Sequence, residues 1–519
     1  MPLRPALLLL ALFLSVNVQA QQYWSQFTNS PTGTTRHDDF CFVNTNIGYA
    51  TKGSLIHKTT DGGSNWVQVL SKPGTHFRSI AFVSPTRGWA GNLGSNSYDA
   101  AVTDTNVLYE TFDGGTNWSV VQGLSQAGMK GFCAFHVLDS THVYGGGRVR
   151  GPAIFCKTEN AGTNWTTVNL TAQGVMNGIM DVYFKDPTNG FVVGMDTNTF
   201  AVNCGSVYHG RIARTTDGGQ TWTPVVTTTL TCCYFWKMSW PSANVGYVSL
   251  QQNPTTYPNV IFYKTTDGGN TWVSNGIPLA PFGQTSFYLQ GLGFVSEDEG
   301  WMGGNANTVP YNYLHTLDGG TTWSAVGYNN TASINRIRFA SPLLGYASGQ
   351  KLQVYRAPLA ITSHPTSQTV LAGTNVQFTA TAIGNNPISF QWRKNGTPIT
   401  NQTSSTLTLT NVARLSEGSY SVTITNSGAT LTSKSAALRV LTAQQFQSLT
   451  LFSAFARVSF GDPDGGSLTS NDLQHFSVES SSNLVDWQLF TNGMSLTNGR
   501  ARFDDPIITP DRFYRVSEH

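Results

Sequence analysis

Thr59-Thr60-Asp61-Gly62-Gly63-Ser64-Asn65-Trp66 returns five more times in this chain, at 111–118, 158–165, 215–222, 265–272 and 316–323, with tryptophans spaced by 52, 47, 57, 50 and 51 residues. A repeat of that length, built of short strands and Gly-rich turns, predicts the blades of a β-propeller rather than a helical solenoid. The phrase itself reads as a hairpin turn. Its third residue, Asp61, Asp113, Asn160, Asp217, Asp267 or Asp318, can accept hydrogen bonds from backbone amides a few residues on, so these side chains are read as structural caps and not as catalytic carboxylates. The first glycine is replaced once, by Ala161, whereas the second (Gly63, Gly115, Gly162, Gly219, Gly269, Gly320) is not. That asymmetry predicts a positive φ at the second position, where a Cβ is costly.

A second phrase recurs out of phase with the first. An apolar strand ends in Phe42, Phe82, Phe135, Phe184, Trp240, Phe294 or Phe339, and after a polar turn an aromatic follows: Tyr49, Trp89, Tyr144, Phe191, Tyr247, Trp301 or Tyr346. This gives seven units against six Asp-Gly-Gly turns. The seventh lacks its last strand, and Tyr23-Trp24-Ser25 looks like the strand that follows the turn elsewhere. The expectation is an all-β chain opening with a seven-bladed propeller over 23–356, whose N-terminal strand completes the last blade and removes exposed sheet edges.

The turn resembles the Asp-box of sialidases, sortilin-type receptors and xyloglucan-active glycosidases. The fuller pattern of residues 81–91 with 111–118 resembles the photosystem II assembly and stability factor family. Over residues 23–356 this resemblance implies a non-catalytic scaffold that holds a partner protein during maturation. Function does not follow from the fold alone, because propellers host many.

Residues 1–20 read as an export signal: Arg4, an apolar run from Ala6 to Val16, and a small-residue cleavage site at Val18-Gln19-Ala20. The expected location is secreted, extracellular or periplasmic, and no apolar run is long enough for a membrane-spanning helix. Charged residues are 11% and the formal net charge is +2, which argues against nucleic acid as a partner. All six cysteines lie before residue 357. Their spacing does not make a zinc site, and Cys204 is placed to reach Cys232 or Cys233 in a disulfide. No metal or cofactor is expected.

The last third changes pattern. Residues 360–441 resemble an immunoglobulin-type domain, with Trp392 as core tryptophan and Tyr420 as corner tyrosine. The two positions that the family bridges by a disulfide are Ala380 and Val422 here, so the space is expected to be filled by packing. Residues 443–519 read as a small β-sandwich that looks like an accessory domain of bacterial secreted proteins. Asp462-Pro463-Asp464-Gly465 resembles the start of a calcium loop, but the later ligand positions are missing.

In a propeller the innermost strands enter from the ligand-binding face, so residues three to five places before each strand aromatic should ring the central mouth. These are His37, Asp38, Asp39, Phe77, Arg78, Ser79, Lys130, Gly131, Phe132, Asp181, Trp236, Lys237, Gln290, Asn335 and Arg336. The expectation is that Arg78, Lys237 and Arg336 converge with too few acids at equal depth to neutralise each, with Trp236 as an aromatic anchor for a protein, or an extracellular polymer or glycan. Catalysis would need Asp38 or Asp39 paired with Asp181. Xyloglucan-active enzymes of this type work between two propellers and sialidases have six blades, so a binding role is preferred.

Overall fold

The computed structural model describes residues 23–33, 35–97, 99–124, 127–149, 151–196, 208–252, 259–282, 287–306, 311–327, 333–463, 465–490, 493–506 and 511–519. The proposed export signal, Cys204 and Asp464 lie outside the described residues. The chain is all-β and divides into two compact units, 1–357 and 358–519.

Seven four-stranded antiparallel sheets make up the first unit among the described residues. In the first of them His37–Phe42, Gly48–Lys52, Leu55–Thr59 and Val67–Ser71 follow one another as a meander. The seventh takes its fourth strand from the N-terminus: Trp24–Gln26 pairs with Gln353–Arg356, Trp24 opposite Tyr355. First and second strands are buried on both sides because neighbouring sheets cover both faces. Phe77–Phe82 and Gly88–Asn92 are buried at every residue, whereas a fourth strand such as Val67–Ser71 is half-exposed or exposed throughout.

Aromatic stacking joins successive sheets. The second-strand aromatic of one lies on the first-strand aromatic of the next: Tyr49 on Phe82, Tyr144 on Phe184 and Tyr247 on Phe294, with ring centroids 3.6, 3.7 and 3.5 Å apart. Phe191 with Trp240 and Trp301 with Phe339 follow at 5.0 and 5.4 Å. Tyr346 of the seventh sheet stacks on Phe42 of the first at 3.7 Å.

The repeated turn is held from inside and outside. Within it, Asp61 Oδ1 accepts from the Asn65 amide and from the Thr59 hydroxyl, which in turn accepts from the Gly63 amide. The same bonds recur around Asp113, Asn160, Asp217, Asp267 and Asp318. From outside, a cation on the preceding sheet donates to the carbonyl at the first glycine position: Lys58 to Gly114, Arg87 to Ala161, Lys185 to Gly268 and Lys264 to Gly319.

Both glycines have positive φ, the second as expected and the first in addition. The first lies at 68–76°, and Ala161 occupies the same region at 53°. The second lies at 83–94°, and at every one of these positions but Gly115 space also forbids a side chain. A Cβ at Gly63, Gly162, Gly219 or Gly269 would meet the ring of Phe27, Trp89, Phe155 or Phe191 at 2.3 to 2.5 Å.

In the second unit, Ser389–Lys394, Gly418–Thr425 and Ala436–Leu441 form the centre of one sheet and Val376–Thr379 with Thr406–Leu409 the facing pair. Trp392, Phe378 and Tyr420 are buried between them, and Ala380 and Val422 fill the expected disulfide position as packed side chains. Tyr420 donates its hydroxyl to the Ser416 carbonyl at 2.5 Å. Residues 445–518 add a four-stranded and a three-stranded sheet around Val458, Phe460, Phe476 and Phe503.

Arg414 of the immunoglobulin-like domain reaches into this last domain. Its guanidinium pairs with both oxygens of Asp462, and with Glu518 at 2.9 and 2.7 Å. Asp462 also accepts from Gln444 at 2.7 Å. Those bonds occupy the carboxylate that begins the calcium-like stretch, so its role here is to receive an arginine.

Candidate functional site

One irregularity is repeated at the same place in six of the seven first strands. The pairing with the second strand slips between His37 and Phe40, Phe77 and Ser79, Ile179 and Asp181, Phe235 and Met238, Leu289 and Gly291, and Ile334 and Arg336. A bulge adds a residue on one strand and re-aims the side chains beside it. The residues so displaced include Asp38, Asp39, Arg78, Trp236, Lys237, Gln290 and Asn335, and Asp181 and Arg336 close two of the slips. Local backbone irregularity and the candidate residues therefore coincide. In the third sheet the first strand Ala134–Val137 pairs regularly.

These residues form one buried network. Asp38 accepts from Arg78, from Arg36 Nε at 2.7 Å and from His76 Nε2 at 2.6 Å. Asp39 pairs with Arg336 Nε at 2.8 Å and Arg338 Nη1 at 2.9 Å, and takes the Ile80 amide at 3.1 Å. The Arg336 contact is an ion pair whose N–H points off the oxygen, since that nitrogen makes no hydrogen bond. Asp181 accepts from Arg336 Nη2 at 3.1 Å and the Met238 amide at 3.0 Å, with Lys237 Nζ 3.9 Å away. Trp236 lies under Arg78 at 5.0 Å and donates to Asn335, which donates in turn to the Asp38 carbonyl.

Burial alone would raise both Asp38 and Asp181. Arg78 and Arg36 outweigh it at Asp38, Arg336 and Lys237 at Asp181, and both carboxyls are held below their ordinary range. Lys237 moves the other way. Burial first, then Arg336, push its ammonium down to about 7.

The structure thus brings together Asp38, Asp39, Arg78, Asp181, Trp236, Lys237 and Arg336, but as buried groups. One expectation is corrected by this: Trp236 is a buried support rather than an exposed anchor. Arg78 and Arg336 each sit against a carboxylate, but the cations of the network outnumber its acids. Of the other predicted mouth residues, Gln290 binds Arg36 at 2.7 Å, His37 faces the Pro31 carbonyl, and Lys130 is exposed. The sequence reading missed Arg36, His76 and Arg338. Arg338 stands two places from Arg336 on the same strand, and the two-residue period of a strand is the signal that would have found it; Arg36 and His76 precede their strands, where no period points to them.

Cys232 is disulfide-bonded, while Cys41, Cys133, Cys156 and Cys233 are free. No helix among the described residues is long and apolar enough to cross a membrane.

Residues 360–426 match the family model described as an immunoglobulin domain, in agreement with the core around Trp392. No curated protein matches this chain. Among solved structures, the chain is similar to a chimeric titin Z1Z2 functionalized with an exogenous peptide from decorin, at 25% identity over 16% of this chain and 92% of that one, TM-score 0.14. It is also similar to an I-band fragment from titin, at 17% identity over 31% of this chain and 65% of that one, TM-score 0.21.

Proposed function

We propose that this protein is an exported, non-catalytic binding or assembly scaffold, with residues 23–356 arranged as a seven-bladed Asp-box β-propeller like those of photosystem II assembly factors. The observation that carries the reading is the state of the three central carboxylates. Asp38, Asp39 and Asp181 all sit against arginines, and Asp38 and Asp181 are held below the usual range. A glycosidic acid needs the opposite, a carboxyl kept protonated near neutral pH. Carboxylates locked this way suit fixed charge rather than proton transfer. In this reading Arg78, Lys237 and Arg336 supply a positive field that draws an acidic or polar partner, while Asp38, Asp39, Asp181 and Trp236 hold them in place. The disulfide at Cys232 supports an oxidising compartment, and the immunoglobulin-like domain supports a protein or surface-polymer partner.

The rival reading is an Asp-box glycoside hydrolase. Screening the purified full chain on sialosides, xyloglucan and other polysaccharides separates the two: turnover abolished by Asp181→Ala would overturn the scaffold. Absence of turnover, together with saturable binding of a purified partner that Arg78→Ala or Arg336→Ala weakens, supports it.

A further inference from the structure

The central network has more cations than carboxylates. Arg36, Arg78, Lys237, Arg336 and Arg338 share Asp38, Asp39 and Asp181, while His76 divides itself between Asp38 and Asp99. Between residues 23 and 357, the positions outside the described residues hold neither Asp nor Glu, so no further acid exists there to restore the balance. Lys237 is the group left short. Its ammonium has three donors and makes a single hydrogen bond, to the Met180 carbonyl at 3.0 Å, with Asp181 at the 3.9 Å limit of an ion pair. The charged groups acting on it are Arg336, Asp181, Arg78 and Asp39, with the Cys133 thiol also within their field. Side-chain exposures are 6% for Lys237 and Arg336 and 4% for Asp181 and Arg78, against 0% for Asp39, so the network is nearly, but not wholly, closed to solvent.

We infer that Lys237 Nζ is a receptor for a small carboxylate, held by its unused donors in the field of Arg336 and Arg78. A bound carboxylate supplies the missing negative charge and the missing acceptors together. The lysine is neutral in part without it, since it titrates near 7, so binding is coupled to uptake of one proton. This rests on the reading of the network as a binding centre, and not on the identity of a macromolecular partner.

Acetate titration of the full chain by calorimetry, at fixed ionic strength and with chloride as the control anion, tests it. Expected are saturable acetate binding, about one proton taken up on comparing two buffers above pH 7, and affinity falling by about tenfold per pH unit there. Lys237→Met should weaken acetate at least tenfold. Should that variant fail to fold, the proton uptake and pH slope of the unmodified protein decide alone. A tetraglutamate peptide distinguishes a free small acid from an acidic side chain of an incoming chain: the near-complete burial of Lys237 favours acetate, and peptide binding stronger than acetate would overturn the stated ligand. Acetate indistinguishable from chloride, a pH-independent affinity, or full affinity in folded Lys237→Met would each overturn the site. Loss of this site with partner binding intact leaves the scaffold standing, whereas turnover on a glycan removes the scaffold whatever acetate does.

Discussion

Tyr346 lies flat on Phe42, ring centroids 3.7 Å apart and planes 5° from parallel, joining the last sheet of the first unit to the first. Tyr346→Ala leaves a cavity at that junction and should lower stability by roughly 3–5 kcal/mol, the range for losing a buried aromatic. Deleting residues 21–30 should act at the same junction, because Phe27 packs on Tyr346 of the seventh sheet and Trp66 of the first, and it also removes Trp24 from Trp301 and Tyr313 of the sixth. Denaturant unfolding of both variants is the measurement, and unchanged midpoints would show that the seventh sheet does not depend on the first.

The two glycines of one turn should respond differently to alanine. A Cβ at Gly268 comes within 3.1 Å of Lys185 Nζ, the end of a flexible chain, whereas at Gly269 it meets the Phe191 ring at 2.4 Å. Gly268→Ala should therefore cost about 1 kcal/mol, the penalty for a side chain in the left-handed region, and Gly269→Ala clearly more. Asp217→Ala, which removes the acceptor for the Thr221 amide, should cost about 0.5–2 kcal/mol by analogy with a lost helix cap. Thermal melts of the three variants give the order directly.

Arg414→Ala leaves Asp462 and Glu518, both nearly free of solvent, without their shared cation. Removal of one partner of a buried pair costs roughly 3–5 kcal/mol, so residues 358–519 should be strongly destabilised. Added salt should change the effect little, since buried pairs are weakly screened. Calcium should not restore it. Rescue by millimolar calcium would return Asp462 to the role of a metal ligand.

Acid should weaken the first unit before its carboxylates protonate. Burial, then Lys52, push His37 down to about 3 and His57 to about 4, against about 6.5 when unfolded. The unfolded chain binds these protons first, so the stability they contribute is complete above pH 6.5 and is lost as pH falls from 6.5 through 4. His76 runs the other way: burial would lower it, but Asp38 and Asp99 outweigh that and raise it, so its contribution is present below pH 6.5 and fades above. Urea midpoints at pH 7.5, 5.5 and 4.5 should fall with acid in the native chain, and fall less in a His37→Gln, His57→Gln double variant.

The sequence carries the sheet count because each turn must be closed locally: Asp61 and its counterparts act on amides four residues away, and the aromatic pairs recur at fixed offsets. The immunoglobulin-like core is legible for the same reason, Tyr420 bonding a carbonyl four residues back. What is less legible is charge pairing between sheets. Arg336 and Asp181 belong to different repeats, and no offset along the chain signals their contact. The bulges are hidden too, since a single extra residue leaves the apolar pattern intact while reversing which side a neighbour faces. Lys58, Arg87, Lys185 and Lys264 look in sequence like ordinary surface cations, and only their neighbours' turns show why they are there.

The pairing of Trp24–Gln26 with Gln353–Arg356 also sets an order of events. Synthesis delivers the chain N-terminus first, so the first strand to emerge is among the last to find its place. Until residues near 356 arrive, Gln353–Arg356 does not exist as a template and the sheets already made keep two open edges. Closing a loop of that length is slow relative to local hairpin formation. The first unit is thus committed only when its final strand has passed, just ahead of the immunoglobulin-like domain. A chain arrested before that point holds six self-sufficient sheets and an unpaired tryptophan strand, a form open to quality-control proteases and to strand exchange with a second unfinished copy.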